Sequence, residues 1–67
     1  MTLAEIFKLA KKCGGEKSPD SKFKTTNARF WDEDAQLNFL ELLSRQNYVK
    51  HGPYDDHEYY WVQVKGD

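Results

Sequence analysis

A chain of 67 residues has room for one small domain spanning 1–67, and hydrophobic residues at 39% beside charged residues at 31% describe a globular chain, not a disordered one. Ten basic residues against eleven acidic ones leave a net charge of −1, which excludes a polycation or an acidic tail. A single cysteine, Cys13, excludes an intramolecular disulfide scaffold and points to a reducing, cytoplasmic setting, and no apolar run approaches the ~20 residues that span a bilayer.

Thr2 followed by Glu5 predicts a capping box at the start of a helix, and Leu3, Ile6, Phe7, Leu9, Ala10 and Cys13 recur behind it at helical spacing. Gly14-Gly15 ends this helix, because glycine accepts the left-handed conformation of a C-terminal cap. Residues 14–22 are loop by composition, with Ser18-Pro19 suited to cap one short helical turn. The threonines and aromatics of 23–31 favour an extended segment.

A second helix starts with Asp32 as its N-cap, since an earlier start would turn that carboxylate into the apolar arc. Glu33 and Asp34 then sit in the first turn, where the helix dipole favours negative charge. Ala35, Phe39, Leu40, Leu42 and Leu43 line one face, while Gln36, Asn38, Glu41, Ser44 and Arg45 face water. Glu41 and Arg45 are spaced for an i,i+4 ion pair, and Asn47 suits a left-handed stop. A hairpin follows, with β-rich runs at 48–51 and 58–64 around a turn at 52–57. Period two places Tyr60, Val62 and Val64 against the helices and Tyr59, Trp61, Gln63 and Lys65 on the other face.

The fold class is therefore α+β: two amphipathic helices packed on a small antiparallel sheet with a C-terminal β-hairpin, in the order helix, strand, helix, strand, strand. That order across Asp32 to Val64, a leucine-rich helix running into a two-stranded wing, resembles winged-helix modules. The expected core is Leu3, Ile6, Phe7, Ala10, Ala35, Phe39, Leu40, Leu42, Leu43, Val49, Tyr60, Val62 and Val64.

For function, the sequence points to a non-catalytic module that binds another protein, as an adaptor or inhibitor. Its ten aromatic residues exceed what one small core absorbs, which leaves Tyr48, Tyr54, Tyr59 and Trp61 for a hairpin surface. Asp55, Asp56 and Glu58 give that surface an acidic rim, complementary to a basic partner or to a nucleic-acid-handling protein. The competing possibility is that residues 14–31 fold over this face and cover it.

The alternative function is a winged-helix-like nucleic-acid binder or transcriptional regulator. Residues 1–29 hold seven basic against three acidic side chains, and Lys8, Lys11, Lys12, Lys22, Lys24 and Arg29 are its candidate contacts. The acidic start of the second helix argues against that helix entering a groove. His51 and His57 match no metal-site spacing, Cys13 has no cysteine or visible base beside it in sequence, and Gly14-Gly15 closes a helix instead of opening one. No catalytic residue, metal site, cofactor or membrane partner is assigned from the sequence.

Overall fold

The Thr2 hydroxyl accepts the Glu5 N–H at 3.2 Å and the Glu5 carboxylate accepts the Thr2 N–H at 2.9 Å, so a reciprocal cap opens helix α1, Leu3–Lys12. The bonds from Thr2 hold the Glu5 carboxyl below its usual range. The computed structural model describes residues 1–19, 26–52 and 59–67. At its far end α1 closes in a Schellman motif. Gly15 N–H reaches Ala10 O at 2.8 Å and Gly14 N–H reaches Lys11 O at 3.1 Å, with Gly14 at φ +93.

Strand β1 is Glu16–Lys17, a short strand inside the segment expected to be loop. It pairs antiparallel with β2, Thr26–Phe30, and the Ser18 N–H continues that pairing to Asn27 O at 2.7 Å. Ser18 is thus buried at the strand's end, and residues 20–25, including most of the turn expected after it, lie outside the described residues. Helix α2, Glu33–Leu42, begins at Asp32 as expected, with the Asp34 N–H donated to Asp32 Oδ1 at 3.1 Å. A 3-10 turn, Arg45–Asn47, leads into β3, Tyr48–Gly52, and β4 is Tyr60–Val64.

The protein is a small α+β domain with two helices and a four-stranded antiparallel sheet ordered β1-β2-β4-β3. Its core joins Ile6 and Ala10 of α1, Phe39 and Leu43 at α2, and Ala28, Phe30, Val62 and Val64 of the two inner strands. Both helices therefore cover the same face of the sheet. Phe30 and Phe39, fully buried, stack tilted at 5.1 Å between ring centroids. Gly15 is obligatory beside them, since a Cβ there would lie 2.4 Å from the Phe30 ring.

Three expected core residues lie at the surface instead. Leu3, in the first turn of α1, leans on Gly66 and stays exposed, and Val49 sits in an irregularity on the sheet's edge. Leu42 is 57% exposed because α2 turns Gln36, Phe39 and Leu43 inward, leaving Leu37 and Leu42 on the two flanks of the buried stripe. Gln36, expected in water, is buried, and its side-chain N–H groups are donated to Gly52 O and Trp61 O, each at 2.9 Å. That amide fastens α2 to the β3–β4 hairpin. Replacing Gln36 with leucine is expected to cost about 1–3 kcal/mol by leaving those carbonyls without a donor, measured by urea denaturation.

The helix also ends earlier than expected. Leu43 leaves helical geometry, Arg45 belongs to the 3-10 turn, and Glu41 and Arg45 no longer share a helix face. Asn47 does not cap α2. It is fully buried, and its Nδ2 donates to Lys65 O at 2.9 Å, Asp67 Oδ1 at 2.9 Å and Met1 O at 3.1 Å. Its own carbonyl accepts the Lys65 N–H at 2.9 Å. One polar side chain thus clasps the segments flanking α1 and β4. Asp67, bonded first to the Met1 amino group and then to Asn47, has its carboxyl held below the usual range.

Candidate functional site

Strand β3 stands at the edge of the sheet, bonded to β4 on one side and to no described strand on the other. Its register explains where its side chains go. Tyr48 pairs with Val64, but Lys50 pairs with Gln63 and His51 with Val62, so one extra residue is accommodated between Tyr48 and Lys50. Residues directly paired across a ladder share a face. Tyr48 and His51 therefore both project on the helix side of the sheet, and Lys50 projects on the outer side. The Tyr48 hydroxyl lies 2.7 Å from His51 Nδ1, which the bulge makes possible for residues three apart.

Beside this edge, Glu33, Gln36, Leu37, His51, Gly52 and Tyr60 line an open recess of about 250 Å³. Leu37, on the flank of α2, is 49% exposed; on β3, Val49 is 43% and Tyr48 36% exposed. Along a strand edge that meets no described strand, these apolar side chains leave both backbone hydrogen-bonding groups and area to desolvate.

The expected hairpin surface is not assembled on one face. The bulge moves Tyr48 to the helix side, whereas Trp61 pairs with Arg29 and Gly52 on the outer side. Tyr59, expected to be exposed, is only 7% exposed. The Arg29 guanidinium lies over both the Tyr59 ring at 5.5 Å and the Trp31 ring at 5.2 Å from their centroids. Of residues 14–31, Arg29 thus lies against the Tyr59 ring, while β1 and β2 extend the sheet beside β4 and Trp31 remains 54% exposed. Trp61 is half-buried and packs on Gly52, where a Cβ would meet its ring at 2.2 Å. Tyr54, Asp55, Asp56 and Glu58 fall outside the described residues.

The candidate nucleic-acid contacts also divide. Lys8, Lys11 and Lys12 are exposed on α1, and Lys17 of β1 lies 5.6 Å over the Phe7 ring. Arg29 is not available to phosphate in the same way, because its Nε donates to Glu16 Oε1 at 2.8 Å and a second nitrogen bonds the same oxygen. Lys22 and Lys24 lie outside the described residues.

Cys13 is half-buried, and burial pushes its thiol up, away from a thiolate. Its sulfur accepts an N–H from Asn38 at 3.8 Å. Among the described residues, no group of three or more His, Cys, Asp or Glu is placed to hold a metal ion, and His57 lies outside them. No helix among them is long and apolar enough to cross a membrane.

The edge strand and its recess were only partly legible in sequence. Tyr48 stands out as a surplus ring, but Leu37 does not, because its exposure depends on the face that α2 buries through Gln36, Phe39 and Leu43. Comparison with protein-family models, with curated proteins and with solved structures finds no match for this chain.

Proposed function

We propose that this chain is a non-catalytic binding module, working as an adaptor or inhibitor in a reducing cytoplasmic setting, that captures another protein through the edge formed by β3 and the exposed flank of α2. One observation carries the reading: every residue from Tyr48 to His51 is exposed on a strand that has no described strand on its other side, beside exposed Leu37. Aromatic and branched side chains in such a setting desolvate readily on contact, and an unpaired ladder supplies directional bonds.

The test compares wild-type chain with a Leu37→Ser, Tyr48→Ala, Val49→Thr variant as bait. All three positions are exposed, so the fold should persist, checked by circular dichroism. A protein captured in stoichiometric amount, purified and titrated back, is expected to bind the variant at least about tenfold more weakly, the size of a modest hot spot. Undiminished binding to the variant sinks the reading.

The second reading is a winged-helix-like nucleic-acid module, favoured by the exposed row of Lys8, Lys11 and Lys12 on α1. It requires binding to random duplex that falls steeply with added salt and disappears when these three lysines become glutamate.

A further inference from the structure

From the unpaired lysine on the outer side of β3, we propose that the edge of this strand, which faces no described strand, takes on an extended acidic segment of another protein as a fifth strand. This deepens the protein-binding reading above and rests on it. On the outer side of the sheet, Lys50 projects from β3 opposite Gln63, and the alternation carries Lys65 to the same side two residues beyond. Arg45 stands exposed in the turn that leads into the strand. None of these three has a carboxylate within ion-pair distance among the described residues; the ion pairs there are Arg29 with Glu16 and the Met1 amino group with Asp67.

A strand added beside β3 places its alternate side chains on the two sides of the sheet. Those directed outward meet Lys50, and carboxylates are complementary there. Those directed to the helix side meet Tyr48, His51 and, across the recess, Leu37, so apolar side chains suit them. Glu33 at the recess keeps further carboxylates off that side. The partner segment therefore alternates acidic and apolar residues.

A second copy of this chain is the rival occupant, and Lys50 opposes it. Antiparallel pairing of two β3 strands about their centre sets one Lys50 against the other, and like charges directly opposite destabilise a ladder. Lys50 thus opposes pairing with a second copy while complementing an acid-bearing strand.

The experiment uses labelled peptides of about six residues, a usual strand length, alternating valine with glutamate or valine with lysine, titrated into wild type and Lys50→Glu. Wild type is expected to bind the glutamate peptide roughly fivefold or more tightly than the lysine peptide, and Lys50→Glu to reverse that order. Equal binding of both peptides, or none of either, overturns the acidic-strand inference. A captured protein that still depends on Leu37 and Tyr48 would then leave the broader reading standing. Sedimentation showing a wild-type dimer disrupted by Val49→Asp would assign the edge to a second copy, which also overturns it.

Discussion

Phe39→Ala is expected to lower stability by about 3–5 kcal/mol, enough to unfold much of so small a domain at room temperature. Phe39 is fully buried where α2 meets the sheet, against the equally buried Phe30 and the other residues of the single core cluster. Truncation removes the transfer energy of the ring and opens a void. The surroundings cannot readily collapse into it, because Phe30 is already held by the close approach of Gly15. Chemical denaturation followed by the combined fluorescence of Trp31 and Trp61 measures the loss. A change under about 1 kcal/mol would mean that this ring does not organise the core.

Asn47→Ala is expected to cost about 2–4 kcal/mol, since each buried carbonyl left without its donor costs on the order of 1–3 kcal/mol. Asn47→Asp should be worse despite its matching shape. It replaces the donating Nδ2 with an oxygen facing Lys65 O, Met1 O and the Asp67 carboxylate, so three attractions become repulsions that the Met1 amino group, 3.2 Å from the other oxygen, only partly offsets. The ranking wild type, alanine, aspartate in melting temperature checks this. An aspartate variant as stable as wild type would show that the clasp contributes nothing.

Local chemistry made parts of this fold legible. Thr2 with Glu5, Gly14-Gly15, and Asp32 before Glu33-Asp34 each satisfy backbone groups within a few residues, so sequence alone places those helix ends. What could not be read depends on distant partners. Asn47 resembles a helix stop until Lys65 and Met1 arrive to bond its amide, and Gln36 resembles a surface residue until Gly52 and Trp61 present their carbonyls. The Gln36 contacts, in turn, fasten one face of α2 to the hairpin, with Leu37 and Leu42 on its flanks.

The candidate site fared similarly. Surplus rings were visible in composition, but a strict period of two assigns Tyr48 to the same side as Trp61. The single extra residue between Tyr48 and Lys50 reverses that assignment. Arg29, basic by composition, is spent on Glu16 and two aromatic rings because β1, too short to recognise in sequence, brings Glu16 beside it.

The position of β4 has a temporal consequence. It lies between β2 and β3, yet it is the last of the four strands to be synthesised. Without residues 60–64, β2 has two-residue β1 as its one described partner and β3 has no described partner, so the apolar strands stay open. Folding of this domain thus waits on β4, and a chain interrupted before Tyr60 lacks the strand that joins β2 to β3.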